Sequence, residues 1–287
     1  MQMGPERMKG RAFLFLALAA LLWSLGGLLI KLIPWQPIAI AGARSAVAAF
    51  TMLLFRPRMR PGKSHAQLGG AACYAATVIL FVVANKWTTA ANAILLQYTA
   101  PVYVALLSKW SLKERITKTD AAAIIAAIGG MFLFFLDDLS GGGLRGNIIA
   151  ILSGIAFAGT ALFLRKQKDA SPLESLFAGN ILAFLISMPF LLGSALDATG
   201  WPALLLLGVF QLGLPYILYS EAIKHVTALE ATLVPIIEPI LNPIWVFLAI
   251  GERPGGWAFL GGILVLLSVT LRCFFALKQQ KAAANQS

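Results

Sequence analysis

Charged side chains are scarce in this chain. Asp, Glu, Lys and Arg make up 12% of its 287 residues, about half the share found in soluble domains. A water-soluble globule of this length could not cover its surface with so few. Lipid is therefore the main solvent. Histidine is nearly missing: His65 and His225 are the two present, and both fall in loops between apolar runs. That argues against histidine-based metal sites and Ser-His catalysis inside a membrane. Cysteine is equally rare. Cys73 and Cys273 lie in or beside apolar segments at a spacing that fits no metal or disulfide framework, so packing is their expected role.

Acidic residues are few, 12 against 23 basic ones, for a net charge of +11. Such a balance can mark nucleic-acid binding. Here the Lys and Arg residues stand at the ends of apolar runs, which is the pattern that orients membrane spans. No nucleic-acid partner is expected. Asp137-Asp138 is an adjacent pair that could hold magnesium for diphosphate chemistry, but Asp197 stands alone and supplies no second cluster. A solvated loop is the plainer role for the pair, and a lipid-modifying enzyme is a remote alternative. No pore-like charge ring points to a channel. The expectation is a protein that is not an enzyme and needs no cofactor or metal.

Apolar residues are abundant instead, at 59% of the chain, with mean hydropathy +0.81. Ten segments approach the roughly 20 apolar residues a spanning helix needs. They are 12–33, 38–55, 68–85, 90–110, 120–136, 147–164, 173–193, 202–222, 228–250 and 256–276. The first is too long for a signal-peptide core and lacks a small-residue cleavage site, so it reads as a retained span. With the N-terminus inside, 18 of the 23 basic residues fall on the inner side. Lys31, Lys86, Arg145 and Arg253 fall outside, and Arg44 lies within the second span. This distribution predicts ten spans with both termini cytoplasmic.

The chain also repeats itself. Pro101 precedes Glu114-Arg115, and Pro239 precedes Glu252-Arg253 at the same spacing. The lead-ins Lys86-Trp87-Thr88-Thr89-Ala90 and Lys224-His225-Val226-Thr227-Ala228 match as well. Two halves, 1–140 and 146–287, each hold five spans, so the second enters the membrane from the opposite face. The predicted fold is an all-α polytopic membrane protein, with ten transmembrane helices forming two inverted five-helix repeats around a central cavity. That arrangement suits alternating access.

Several stretches carry a family likeness. Ile94-Leu95-Leu96-Gln97-Tyr98-Thr99-Ala100-Pro101, leading to Leu112-Lys113-Glu114-Arg115, resembles the fourth span of EamA-type members of the drug/metabolite transporter superfamily. Ile237-Glu238-Pro239, leading to Gly251-Glu252-Arg253, resembles the ninth. Trp23-Ser24-Leu25-Gly26-Gly27 with Lys31 resembles the first. The resemblance implies a basket of helices in the cell (inner) membrane, with a central cavity lined largely by spans 1, 3, 4, 6, 8 and 9. It also implies export of amino acids, metabolites or toxic compounds. The YddG-like amino acid exporters are the nearest functional analogy, although Gln97-Tyr98-Thr99-Ala100-Pro101 departs from that subgroup's Asn-Tyr-Leu-Trp-Pro pattern.

Polar and aromatic residues within the spans are the candidate substrate contacts. They are Trp23, Tyr74, Thr77, Gln97, Tyr98, Phe157, Gln211, Tyr216, Tyr219, Glu238 and Asn242. Tyr and Gln can hydrogen-bond a zwitterion while aromatic faces meet its side chain. Each taken alone is more often a helix–helix contact. Trp23 and Phe157 occupy matching repeat positions. Glu238 lies about ten residues into its span, near the midplane at ~15 Å, where the first repeat has Ala100. Its expected role is recognition of an amino group or carriage of a coupling proton, with Asn242 one turn on orienting it. The structural alternative is a protonated Glu bonded to a freed carbonyl. Arg44 has a similar ambiguity between a functional charge and a carbonyl-bound structural one. Pro101 and Pro239 are the expected hinges, because proline removes a backbone hydrogen bond that lipid cannot replace. The expected cargo is an amino acid or similar small metabolite. A proton-coupled multidrug exporter and a nucleoside or sugar transporter are the alternatives.

Overall fold

The computed structural model describes residues 5–59, 62, 64–111, 122, 125–126, 129–130, 132–133, 136, 143–194 and 197–284. Most of the expected fifth span, Glu114-Arg115 and Asp137-Asp138 lie outside the described residues. Among those described, all regular structure is helical. Eight helices are long and apolar enough to cross a bilayer: Met8–Leu32, Pro37–Phe55, His65–Trp87, Ala90–Leu107, Leu144–Lys166, Pro172–Leu192, Ala198–Ala222 and Ala228–Ile250. These are spans 1–4 and 6–9 of the sequence reading. A shorter apolar stretch, Gly256–Ser268, belongs to the last helix. The chain is a multi-pass membrane protein. Its outer faces carry the side chains lipid favours, such as Leu14, Phe50, Leu54, Leu185, Leu248 and Leu267, all exposed.

Among the described residues, spans 3 and 6 share the most extensive interface. Span 6 carries a stripe of small residues, Gly146, Ala150, Gly154 and Ala158, buried at four-residue intervals, and Gly159 beside it lies against Cys73 of span 3. Helices in lipid associate by close packing rather than by hydrophobic expulsion, so small residues mark their interfaces. A Cβ on Gly146 would meet Thr88, and one on Gly154 would lie 2.9 Å from the Gln97 carbonyl.

The connecting segments gather at two ends. At one, Trp35 Nε1 donates to Asp197 O at 3.0 Å, Thr88 Oγ1 to Asn147 Oδ1 at 2.8 Å, and Lys86 Nζ to Ile33 O at 2.6 Å. At the other, Arg56 Nη1 donates to Ser171 Oγ at 2.8 Å and Gln167 Nε2 to Ala66 O at 2.8 Å. The two sets are called the Glu252 end and the Arg165 end below.

Among the described residues, spans 1, 4, 8 and 9 are irregular. Span 1 breaks at Ser24-Leu25, between Pro5–Trp23 and Gly26–Leu32. Span 4 breaks at Tyr98-Thr99, between Ala90–Gln97 and Ala100–Ser111. Span 9 passes through a 3-10 turn, Val234–Ile236, between Ala228–Leu233 and Ile237–Ile250. Span 8 contains a π turn, Leu207–Gly213, where Gly208 and Gly213 admit Val47 and Thr51 of span 2. The sequence reading took Pro101 and Pro239 as hinges without fixing where the helices are interrupted. Each lies in the first turn of the segment after an interruption, where the missing N–H would have had no helical partner.

The repeated lead-ins also gain a local explanation. Thr89 Oγ1 accepts from the Asn92 amide, and Thr227 Oγ1 accepts from the Glu230 amide. Glu230 returns a carboxylate to the Thr227 amide and completes a capping box. The matched Thr-Ala pairs are helix N-caps. Span 9 ends on Gly251 at φ +73°, a left-handed cap that glycine adopts without strain.

Candidate functional site

The irregular segments surround one central cavity. Trp23, Arg44, Thr77, Gln97, Phe157, Gln211, Tyr216 and Glu238 line it, with Val78, Phe81 and Leu212. Seven of these were candidates by sequence, and they come from spans 1, 3, 4, 6, 8 and 9. Tyr74 and Tyr219 stand directly behind. The Tyr74 ring meets Tyr216 at 4.7 Å between centroids, and Trp23 meets Tyr216 at 4.9 Å and Tyr219 at 5.4 Å. Trp23 and Phe157 touch edge-on at 6.2 Å, so the repeat-matched aromatics meet across the cavity wall.

The polar residues divide into two kinds. Gln97 Nε2 donates to Ser153 Oγ at 2.7 Å, and Thr77 Oγ1 donates to Cys73 O at 2.8 Å. Tyr74 and Asn180 bond to each other. These groups already serve contacts within or between helices. Arg44 and Glu238 differ, since both carry charge chemistry into the cavity and both are buried. Arg44 Nη1 donates to Gln211 Oε1 at 3.0 Å and Nη2 to Val78 O at 2.8 Å. The π turn of span 8 supplies Gln211. Tyr98 does not line the cavity but holds Glu238: its hydroxyl oxygen lies 2.7 Å from both Glu238 Oε2 and the Pro235 carbonyl.

One expectation needs correction. Asn242 does not orient Glu238. Its side chain is turned onto Gly27, and neither amide atom has a hydrogen-bond partner. Tyr98 reaches across from the other half and donates to the Pro235 carbonyl. Pro239 and Pro243 line a separate apolar groove beside the last helix. Sequence reasoning left Arg44 between a functional charge and a carbonyl-bound structural one, and the structure shows a carbonyl contact, to Val78.

The central cavity holds about 30 Å³, room for one or two waters. Binding pockets for small molecules measure roughly 300–1,000 Å³. This conformation of the cavity is therefore contracted. Both ends are tied. At the Glu252 end, Lys31 Nζ pairs with Glu252 Oε2 at 2.8 Å and donates to Thr88 O at 2.9 Å. The other Glu252 oxygen accepts from the Ala90 amide at 2.6 Å, and Trp245 Nε1 donates to Ser24 Oγ at 3.1 Å. One carboxylate thus joins spans 1, 4 and 9. At the opposite end, Arg165 Nη1 donates to the Ile223 and Lys224 carbonyls at 3.0 and 2.9 Å. Lys9 pairs with Glu230 at 2.7 Å. A recess of about 300 Å³ opens beside this second clasp, between Met8, Arg11, Phe15, Glu221 and His225.

Known proteins share this architecture. A solved crystal structure matches the fold with a TM-score of 0.70 at 16% identity, covering 93% of this chain and 99% of that one. A relative from Archaeoglobus fulgidus, described as an uncharacterized transporter, is 25% identical over 92% of this chain and 98% of its own length. An Escherichia coli relative, described as a probable amino-acid metabolite efflux pump, is 22% identical over 92% of this chain and 95% of its own. The model of the EamA-like transporter family matches twice, at residues 10–136 and 144–273. With both of its halves matched, this chain belongs to the EamA-like transporter family: it is a membrane transporter.

Proposed function

We propose that this transporter exports amino acids or similar small metabolites across the cell (inner) membrane by alternating access. In this reading the units 1–140 and 146–287 are inverted five-helix repeats, ten spans in all, and both termini are cytoplasmic. The basic loops then place the Arg165 end in the cytoplasm and the Glu252 end outside. The observation that carries the reading is the central cavity, which sets one basic and one acidic side chain among aromatic rings, Arg44 and Glu238 beside Trp23, Phe157 and Tyr216. Those are the elements that accommodate a zwitterion with an apolar side chain. The name of the Escherichia coli relative points the same way.

A coupling proton has its own support. The Tyr98 hydroxyl has one hydrogen but two oxygen neighbours at 2.7 Å. Both contacts are hydrogen bonds only when Glu238 carries a proton and donates it to Tyr98 while Tyr98 donates to Pro235. A substrate ammonium would then compete with that proton for Glu238, which is the exchange an antiporter needs. The same proton serves the alternative cargo of this site, a lipophilic cation.

Counterflow in proteoliposomes tests the cargo. Neutral amino acids should exchange with labelled internal substrate, and sugars, nucleosides and cationic drugs should not. Exchange confined to lipophilic cations would replace amino acid export with multidrug export.

Pro101 and Pro239 are proposed as paired hinges, because each follows a break at the same place in its repeat. Alanine restores the N–H and lets the helix run through. Pro101→Ala or Pro239→Ala should slow exchange more than it weakens substrate binding, and undiminished transport by the double variant would refute the hinge.

A further inference from the structure

Arg44 is fully buried at mid-chain depth in span 2, yet it takes part in none of the ion pairs among the described residues. Its two recorded partners, the Gln211 amide oxygen and the Val78 carbonyl, are neutral acceptors. The remaining donor, Nε, has no partner. A buried guanidinium without a counter-anion is costly, and intramembrane cations are normally paired. A second donor in the same wall shares this condition: Trp23 Nε1 is buried and unpartnered. Arginine and indole nitrogen can donate and cannot accept. Both residues line the central cavity.

The local backbone is built to bring these groups together. Gly26, immediately after the break in span 1, lets the Gln211 amide approach within 2.8 Å of where a Cβ would stand. Gln211 in turn holds Arg44 and belongs to the π turn of span 8, a helix irregularity that recurs at functional sites. Gly208 on the same turn lies against the Arg44 backbone.

We infer that Arg44 and Trp23 form a carboxylate-binding pole in the central cavity, opposite in charge to Glu238, so that the transporter takes both ends of an α-amino acid. The inference rests on the amino acid reading proposed above and narrows it. Arg44 neutralises the substrate carboxylate, Trp23 supplies a further N–H, and Glu238 receives the ammonium. Binding requires the cavity to widen at one of its two clasped ends. Amines without a carboxylate, and carboxylates without an amine, each lose one pole.

Binding to the full chain purified in detergent tests this directly. Alanine, leucine and phenylalanine are each compared with their amides, which keep the ammonium but lack the carboxylate, and with their des-amino acids. The acid should bind at least ~10-fold more tightly than its amide, the worth of a hydrogen bond to a charged group. Arg44→Gln should erase that difference by weakening the acid much more than the amide. Trp23→Phe should narrow it by a few-fold and keep the ring. Equal affinity of acid and amide for the wild-type protein overturns the carboxylate pole, and so does a difference that survives in Arg44→Gln. If Arg44→Gln does not fold, the wild-type comparison and Trp23→Phe decide: a gap that Trp23→Phe narrows supports the pole, and an unchanged gap overturns it. Failure of every amino compound, with binding of a sugar or lipophilic cation, would overturn both this pole and the amino acid reading. Equal acid and amide affinities overturn the pole alone.

Discussion

Glu238→Gln should leave a folded protein whose transport falls by about 10- to 100-fold and no longer varies with pH. The geometry explains why folding survives. Glu238 meets Tyr98 at 2.7 Å, and Tyr98 also reaches the Pro235 carbonyl. A glutamine amide can donate to Tyr98 as a protonated carboxyl does, so the bridge that caps the broken ninth span persists. What glutamine cannot do is lose a proton or neutralise an ammonium. A purely structural Glu238 would therefore tolerate the change, whereas a recognising or coupling Glu238 would not. Tyr98→Phe is the complementary variant. It leaves the Pro235 carbonyl uncapped and should lower thermal stability by roughly 1–3 kcal/mol. Proteoliposome exchange measured across pH separates these cases. A wild-type rate and a wild-type pH profile in Glu238→Gln would assign the residue to structure alone.

Loss of the Glu252 carboxylate should have the second large effect, on which side the cavity faces. Glu252 binds the Lys31 ammonium with one oxygen and the Ala90 amide with the other. It thereby ties the end of span 9 to span 1 and to the start of span 4. Both side chains of the pair are mostly buried, at 17% and 22% exposure, so water screens the pair less than a surface one. Hydrogen bonds to a charged group contribute about 1.5–3 kcal/mol. Removing that amount from the closed state shifts the open population by roughly 10- to 100-fold. Glu252→Gln should accordingly raise labelling of a Thr77→Cys probe, placed in the cavity wall, by a membrane-impermeant thiol reagent added at the Glu252 face. Replacing Cys73 and Cys273 by serine removes background. Labelling that stays at the level of the closed protein would show that this pair does not hold the gate. The Arg165 clasp at the other end provides the control, since Glu252→Gln leaves it untouched.

Much of the architecture could be read in the chain before any coordinates. Charge scarcity and long apolar runs require helices, because backbone groups in lipid have no water to bond and must pair within their own segment. Span limits followed from length and from turn residues at the ends. The duplicated Thr-Ala lead-ins were visible as a repeat, and in the structure they are N-caps at Thr89 and Thr227. The polar candidates were also legible: residues such as Gln211 and Tyr216 stand out in an apolar helix, and the structure brings them into one wall.

Orientation about each helix axis was not legible. Asn242 lies one turn from Glu238, yet its amide turns to Gly27 instead. The prolines were conspicuous, but the breaks precede them, at Tyr98-Thr99 and Val234–Ile236. Nothing local separates a kink at proline from a break just ahead of it, since both remove the same backbone bond.

The sequence by itself determined that this protein lives in lipid, that it is helical, where most spans begin and end, and that its two halves are related. Those properties depend on composition, length and residues a few positions apart. The tertiary structure alone decided that Arg44 meets Gln211, that Tyr98 caps the Pro235 carbonyl of the other half, and that Lys31 and Glu252 close one end. Each of these pairs is far apart in sequence. Which long polar side chain finds which partner depends on helix rotation and depth, and packing of small residues such as Gly146, Gly154 and Gly208 against neighbouring spans sets both.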